Sequence, residues 1–304
     1  MSLLIKKIRK NLIISNLKLP IWKPIFQLIK KVYLPSMEIR QKLKFIGQFE
    51  MKLDDTKTLK LNNFGFYIEN EMFWAGLKSE WEHESLSIWI ELAKKSSVIF
   101  DIGANTGIFS LLAKGFNPSA KIYGFEPQPN ICKCFSKQIA LNHFDIKAFQ
   151  LALSNENGST KFYNYGFDTF NSNTTAGSLN QEFRNLATQQ AIDVETIRLE
   201  DFLKREKILQ IDLIKLDVES FEPQVLEGAG DSLKILQPII LIEIQSDEVG
   251  KKVQDLLTPM QYDIYNINET KGLVKVEKLI DQEFKNHLIV PLSKNKIFLE
   301  CTQK

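Results

Sequence analysis

One short segment constrains this chain more than any other part of its sequence. Residues 98–107 read VIFDIGANTG, an apolar run that ends in Asp101 and continues through Gly103, Asn105 and Gly107. The segment that follows is apolar and helical in character. Glycine lets the backbone turn sharply and approach a ligand closely, while a helix start presents free N–H groups and partial positive charge. The pattern therefore predicts a strand, a tight ligand-binding turn and a helix.

A second strand-like run, residues 121–126, ends in Glu126, 25 residues after Asp101. In nucleotide-binding α/β folds, an acid about 20 residues past the glycine turn accepts hydrogen bonds from the ribose hydroxyls. Pro127 and Pro129 follow, and proline suits the first turn of a helix. The spacing predicts Glu126 as a ribose-binding carboxylate.

Acidic residues also end two later apolar runs. Residues 212–222 read DLIKLDVESFE and contain Asp217 and Glu219, and residues 238–244 read PIILIEI and contain Glu243. Open α/β sheets bind their ligands at the carboxyl ends of the strands. These acids are therefore expected to gather at one edge of a sheet.

From residue 98 onward, strand-like and helix-like segments alternate, which is typical of a mainly parallel sheet covered on both faces. The predicted core strands lie near 98–101, 121–126, 146–150, 211–217, 239–244 and 261–266, and 288–290 and 297–299 are predicted as strands at an edge. Three regions are predicted: a basic helical arm (1–43), a β-hairpin extension (44–79, with runs at 45–53 and 64–69) and a single α/β domain (80–304).

Taken in order, four motifs resemble the FkbM-type methyltransferases: DIGANTG (101–107), FEP (125–127), ALS (152–154) and IKLDVESFE (214–222). The resemblance extends from about residue 73 to residue 243. It implies a Rossmann-like fold, S-adenosylmethionine as cofactor and O-methylation. It leaves the acceptor open, because members of the family methylate different molecules.

The resemblance implies a place for each part of the cofactor. The glycine turn would face its amino-acid end, with Asp101 orienting the turn or binding the ammonium, while Glu126 would hold the ribose. Adenine would lie between Pro127 and residues 151–153. The predicted cofactor-binding residues are Asp101, Gly103, Asn105, Gly107, Glu126, Pro127 and Ala152.

Asp217 is predicted to lie near the reacting centre, where a carboxylate can orient an acceptor hydroxyl or attract the cationic cofactor. Methyl transfer depends on positioning and on a general base. The predicted catalytic residues are Asp217, Glu219, Glu243 and His83. Family members often carry His after the strand-end acid, but this chain has Gln245, which leaves the base open.

Three functional alternatives stay open at this point. The first is an O-methyltransferase without a metal, acting on a sugar, a glycan or another polar natural product. The second is a magnesium-assisted enzyme that uses Asp217 and Glu243 as oxygen ligands. The third is a membrane-associated binding protein that keeps the fold without turnover. The polar segment 154–192 interrupts the alternation, and residues 168–178 are predicted to cover the acceptor.

The net charge of +2 conceals a strongly basic arm, because residues 1–44 hold 11 Lys or Arg and a single acid. Apolar and aromatic residues are interleaved with these charges, a pattern typical of helices that lie on anionic membranes. A helical extension packed on the domain or on a second subunit would have the same composition. Nothing in the arm indicates a signal peptide, a spanning helix or a nucleic-acid motif.

The three cysteines, Cys132, Cys134 and Cys301, are too few and too irregularly spaced for a disulfide framework or a zinc site. They are interpreted as structural thiols in a reducing compartment. We therefore expect a cytoplasmic protein, with peripheral contact at the inner face of the membrane. The oligomeric state stays open.

Overall fold

The computed structural model describes residues 22–164, 177–179 and 190–302. Its strands are β1 (Gly47–Lys52), β2 (Thr58–Asn63), β3 (Val98–Ile102), β4 (Lys121–Phe125), β5 (Ile146–Phe149), β6 (Ala152–Ser154), β7 (Gly158–Asn164), β8 (Gly177–Ser178), β9 (Gln190–Arg198), β10 (Leu213–Leu216), β11 (Ile239–Glu243), β12 (Tyr262–Asn268), β13 (Gly272–Val276) and β14 (Asn286–Pro291). Its α-helices are α1 (Trp22–Val32), α2 (Met37–Arg40), α3 (Tyr67–Trp74), α4 (His83–Lys94), α5 (Ile108–Phe116), α6 (Pro129–Asn142), α7 (Leu199–Glu206), α8 (Glu222–Ala229), α9 (Asp231–Leu236), α10 (Asp247–Leu257) and α11 (Asn295–Thr302).

The main sheet has the strand order β13-β12-β14-β11-β10-β3-β4-β5. The five strands from β11 to β5 run parallel. Each of the other three, β14, β12 and β13, pairs antiparallel with its neighbours. All four residues of β10 are buried, as are the last four of β3, because helices cover both faces. The predicted Rossmann-like α/β fold with a mainly parallel sheet is confirmed.

Two predictions for the C-terminal segments were wrong in detail. Residues 288–290 do form a strand, but β14 lies between β11 and β12 inside the sheet. Residues 297–299 belong to helix α11, where Phe298 and Cys301 share the buried face at a spacing of three. A short apolar run does not distinguish a strand from a buried helix turn.

The N-terminal extension contains one hairpin, formed by the antiparallel strands β1 and β2. Its turn is closed by the Asp54 carboxylate, which accepts hydrogen bonds from the backbone N–H groups of Thr56 (2.7 Å) and Lys57 (2.8 Å). The predicted strand at 64–69 was wrong, because helix α3 begins at Tyr67. That helix is buried nearly all round, so its sequence lacks the polar stripe of a surface helix.

A buried ion pair joins α2 to α3 within this extension. The Arg40 guanidinium lies 2.8 Å from a carboxylate oxygen of Glu71, and both side chains are almost wholly buried. The amide of Asn70 donates to the Arg40 carbonyl oxygen at 2.7 Å. A charge left unpaired at such a depth is strongly destabilising, so the pair fixes how these two helices meet. The segment after α3 then continues across the domain and brings Trp81 and Glu82 to its cavity.

Helix α1 is the first described element of the basic arm, and it packs through one side only. Phe26 is buried against Trp74, with ring centroids 5.5 Å apart. Ile25, Leu28 and Val32 follow the helical spacing i, i+3, i+7 and stay exposed. Within the described ranges, no helix has the length and apolar character needed to cross a bilayer.

The polar segment that interrupts the alternation contributes to a second sheet with the order β6-β9-β7-β8. Strands β7 and β9 pair antiparallel, while the short β8 pairs with the end of β7. The Ser178 hydroxyl of β8 donates to the Glu219 carbonyl oxygen at 2.6 Å. Apart from Gly177 and Ser178, the predicted acceptor cover at 168–178 lies largely outside the described residues.

Candidate active site

A cavity opens at the carboxyl ends of β3, β4 and β10 and encloses about 900 Å³, including its open mouth. The chain runs from β3 outward to β4 on one side and returns to β10 on the other. Open α/β sheets bind ligands where the strand order reverses in this way. Ile68 of the extension completes the wall, together with Trp81 and Glu82 just after it.

The glycine turn after β3 has the predicted tight form. Gly103 has φ +80°, and a Cβ there would lie 1.8 Å from the Asp217 carbonyl oxygen. Gly107 has φ +89°, and its Cβ would meet the Phe135 ring at 2.0 Å. Asn105 also has a positive φ, +52°. Only glycine lets the turn lie this close to β10, which keeps the space above the strand ends open.

Asp101 ends β3 and is 1% exposed. Its Oδ2 accepts hydrogen bonds from the Ser110 backbone N–H (3.0 Å) and hydroxyl (2.6 Å), which ties the turn to α5. Its Oδ1 is buried and accepts no hydrogen bond from the described residues. Burial raises the pKa of this carboxyl, against the opposing influence of Lys215. One oxygen therefore orders the turn, and the other is left for a donor in the cavity.

Glu126 lies just after β4 and lines the same cavity. Its Oε2 accepts from the Asn105 backbone N–H at 3.0 Å, and its Oε1 accepts from the Gln128 N–H at 2.9 Å. Burial raises the pKa of Glu126 to about 7. Each carboxylate oxygen has a second lone pair, so both can still accept from a diol. The side chain thus also anchors the glycine turn, a role that its position in the sequence does not indicate.

The side of the cavity beyond Glu126 is apolar. Pro127 and the three residues 151–153 line it, with Phe162 of β7 beside them. Apolar surface of this kind suits a flat aromatic ring, and it lies next to the Glu126 carboxylate. The residues present therefore fit an adenosine at this end, together with a charged group that uses the second oxygen of Asp101.

An ion pair between Lys215 and Asp217 lies at the end of β10. The Lys215 Nζ is 2.7 Å from Asp217 Oδ2 and 4.5 Å from the centroid of the Phe109 ring. Burial alone would lower the pKa of Lys215, but the charges of Asp217, Glu82 and Asp101 outweigh it and raise the pKa. Burial likewise favours a higher pKa for Asp217, and Lys215 reverses this and lowers it. Both groups are therefore charged at neutral pH.

Lys215 was missed by the sequence reasoning, although the sequence contains a signal for it. A lysine stands alone in the fully buried strand LIKL, on the same strand face as Asp217 two residues later. A lysine is almost never buried without a partner. Its burial here indicates an acid at the end of the same strand.

Glu243 ends the neighbouring strand β11 and contacts Asp217, but the two carboxyls differ in their protonation state. Burial, followed by the nearby charges of Asp217 and Glu219, raises the pKa of Glu243 to about 9. The protonated carboxyl hydrogen-bonds to Asp217, and Gln245 donates to Glu243 Oε2 at 3.1 Å. Neighbouring carboxyls push each other's pKa values apart in this way. Asp217 is thus the charged member of the pair and Glu243 the neutral one.

The loop after Asp217 has an unusual backbone. Glu219 and Ser220 both have positive φ angles, +55° and +72°. The buried Glu222 carboxylate accepts from the backbone N–H groups of Val218 (3.1 Å) and Ser220 (3.3 Å), and so holds this loop. Gln245 donates to the Glu219 carboxylate. Sparsely populated backbone conformations persist where the surroundings enforce them, often at functional sites.

The predicted catalytic residues are only partly brought together. Asp217 and Glu219 line the cavity, and Glu243 contacts Asp217 from behind. His83 is exposed, outside the cavity wall, and its Nδ1 lies 2.9 Å from the Leu77 carbonyl oxygen. In the part of the chain that the structure describes, no three His, Cys, Asp or Glu side chains are grouped as metal ligands.

Comparison with known proteins finds relatives that are named as methyltransferases. The chain is 31% identical over 150 residues to the 2-O-methyltransferase NoeI of Sinorhizobium fredii, covering 47% of this chain and 61% of NoeI. It is 20% identical over 195 residues to the hexuronic acid methyltransferase AglP of Haloferax volcanii, covering 64% and 75%. Among solved structures, the methyltransferase FkbM of Methylobacillus flagellatus matches with a TM-score of 0.42 and 12% identity, over 88% of this chain and 58% of that one.

Fold and cavity together define an S-adenosylmethionine-dependent methyltransferase. The family model described as the methyltransferase FkbM domain matches residues 101–267, more than half of the chain. The chain belongs to that family.

Proposed function

We propose that this protein transfers a methyl group from S-adenosylmethionine to a hydroxyl of a sugar, a glycan or another polar natural product. The observation that carries the proposal is one cavity that unites the glycine turn, Glu126 and the charged Asp217. Transfer to oxygen is supported by the activity for which NoeI is named, and a sugar acceptor by the name of AglP.

The cofactor would supply an electrophilic methyl group on a positively charged sulfur. Glu126 would bind the ribose hydroxyls, and the apolar slot at Pro127 and Ala152 would hold the adenine. The turn at Gly103, Asn105 and Gly107 would let the backbone approach the amino-acid end closely, while its own N–H groups are bonded within the protein. These contacts fix the electrophile, and much of the rate enhancement then comes from placing the acceptor oxygen in line with it.

Asp217 would accept a hydrogen bond from the acceptor hydroxyl and orient its lone pair. Its lowered pKa makes it a weak base before reaction, so it would take the proton only as the oxygen loses electron density to the methyl group. Lys215 holds the carboxylate in place. Glu243 is protonated at neutral pH and would act through Asp217. Glu219, which lines the cavity, stays a candidate for the final proton acceptor, and His83, outside the cavity wall, could take the proton only through solvent.

Methyl transfer is tested with isotope-labelled S-adenosylmethionine and a panel of neutral monosaccharides, glycosides and glycans. We expect label on an acceptor hydroxyl, with the same activity after treatment with a chelator. Activity that is lost to the chelator and restored by Mg²⁺ would instead support the magnesium-assisted alternative. Tight cofactor binding with no transfer to any member of a broad hydroxyl panel would support the binding-protein alternative.

We also propose that the basic arm, residues 1–44, brings the enzyme to an anionic membrane surface at the cytoplasmic face. Each basic residue near such a surface contributes about 1 kcal/mol. The apolar stripe of Ile25, Leu28 and Val32 leaves a face of α1 open for contact. The attraction should weaken with salt, since charges are screened over about 8–10 Å near physiological ionic strength.

Co-sedimentation with anionic liposomes at low and high salt tests the arm. The full chain should partition onto the liposomes at low salt and come off at high salt, whereas a form lacking residues 1–21 should bind more weakly. Neutral liposomes are the matched control. Failure of the full chain to bind anionic liposomes at low salt would contradict membrane binding, and a concentration-dependent increase in mass would then indicate a contact between subunits.

A further inference from the structure

Two buried carboxylate oxygens in the cavity accept no hydrogen bond from the described residues. One is Asp101 Oδ1, and the other is Glu82 Oε2. Both residues line the same cavity, and both carboxylates act electrostatically on Lys215. A buried carboxylate oxygen without a donor is costly, so its retention calls for a partner. A donor bound in the cavity would supply such a partner to both oxygens.

Glu82 lies at the start of α4, but its side chain lines the cavity and does not cap the helix. Glu82 is the N-cap of α4 with a left-handed conformation (φ +46°, ψ +39°), and its own side chain does not cap the helix. The Glu269 carboxylate caps it instead, accepting from the Glu84 N–H (2.7 Å) and the Ser85 hydroxyl (3.0 Å). A left-handed conformation is uncommon for glutamate and persists where the surrounding structure holds it.

Charged and polar groups from three elements face Glu82. Lys215 and Asp217 belong to the end of β10, Glu269 lies in the turn between β12 and β13, and Asn286 of β14 hydrogen-bonds to the Glu82 carboxyl. Burial raises the pKa of Glu82 to about 7, with Lys215 opposing the shift. The side chain is therefore charged above neutral pH. Glu82 interacts with groups at the end of β10, whereas Glu126 follows β4, so the two acids lie on opposite sides of β3.

This position matches one part of the cofactor. The ribose and adenine are assigned to the side of β4, so the amino-acid end extends toward β10. Its α-ammonium is a positive group with three N–H donors. We propose that Glu82, together with Asp101, binds this ammonium group. The proposal rests on the proposed use of S-adenosylmethionine, and it assigns a cofactor contact to a residue outside the region matched by the family.

Three ligands distinguish a contact with the ammonium from a contact with another part of the cofactor: S-adenosylmethionine, S-adenosylhomocysteine and methylthioadenosine. The first two carry the ammonium, only the first carries the sulfonium charge, and the third lacks the amino-acid end. Calorimetry is done with Glu82→Gln at about pH 8, about one unit above the pKa of Glu82. Glu80→Gln is the matched control, because Glu80 is exposed and lies outside the cavity wall.

We expect Glu82→Gln to weaken both ammonium-bearing ligands about tenfold or more, as expected for loss of a charged hydrogen bond, and to leave methylthioadenosine within about twofold. Unchanged affinity for S-adenosylhomocysteine would overturn the proposal. Weakening of S-adenosylmethionine alone would place Glu82 at the sulfonium instead, and equal weakening of all three would indicate a general distortion. If the unmutated protein binds none of them, the proposed function fails rather than this contact.

Discussion

Replacement of Asp217 by asparagine is expected to lower kcat by about 10²-fold or more, within the range known for groups that handle the acceptor proton. The amide keeps the size of the side chain and can still accept from Lys215, and the charges of Glu82 and Asp101 still offset that lysine. What is lost is the negative charge that orients the hydroxyl and receives its proton. Cofactor affinity should change much less than kcat.

The matched control for this experiment is Asp255→Asn, the same chemical change at an exposed position of α10. It should leave both kcat and cofactor affinity unaltered. If Asp217→Asn retained the full rate of methyl transfer while Asp255→Asn behaved as expected, the role assigned to Asp217 would be wrong. Glu219 and His83 would then become the next residues to replace.

Replacement of Glu126 by alanine is expected to weaken binding of S-adenosylhomocysteine by about 2–3 kcal/mol, which is roughly 30- to 150-fold. Two charge-assisted hydrogen bonds to the ribose would be lost. The variant also loses the bond from Glu126 Oε2 to the Asn105 N–H, so the glycine turn is less well ordered. Titration calorimetry measures the change directly.

Glu156→Ala is the control for this second prediction, because Glu156 is an exposed glutamate outside the cavity wall. Thermal unfolding of both variants separates loss of a contact from loss of the fold. A folded Glu126→Ala protein with unaltered affinity would show that the ribose is bound elsewhere.

The fold and the cofactor end of the site could be predicted because their signals are local. The strand, the glycine turn and the helix at 98–116 are consecutive in the chain, and Glu126 follows at a set spacing. Steric and backbone rules act over such short distances. Parallel strands that are buried on both faces appear in the sequence as continuous apolar runs. The order of the core strands along the chain could therefore be predicted.

The other end of the cavity could not be predicted in the same way, because it depends on contacts distant in sequence. Glu82 reaches the cavity only because Glu269 caps α4 and the extension is packed through Arg40 and Glu71. The position of β14 inside the sheet likewise depends on pairing with β11 and β12. His83 was predicted as a catalytic residue because it is a histidine beside the entry to the domain. Its neighbour Glu82 lines the cavity instead.

The acidic residues of the site have different protonation states despite their similar appearance in the sequence. Asp217 is charged because of Lys215, whereas burial and its acidic neighbours keep Glu243 protonated. The difference arises from burial and partners, which a strand-end acid in a sequence does not reveal. Lys215 therefore decides the protonation state of Asp217 as much as the neighbouring acids do.

One cavity, at the ends of β3, β4 and β10, is expected to hold the cofactor. The most direct test is a crystal structure of the full chain with S-adenosylhomocysteine. We expect its ribose hydroxyls on Glu126, its adenine between Pro127 and residues 151–153, and its sulfur toward Asp217. Clear density for the ligand at another place on the protein, with this cavity empty, would contradict the account.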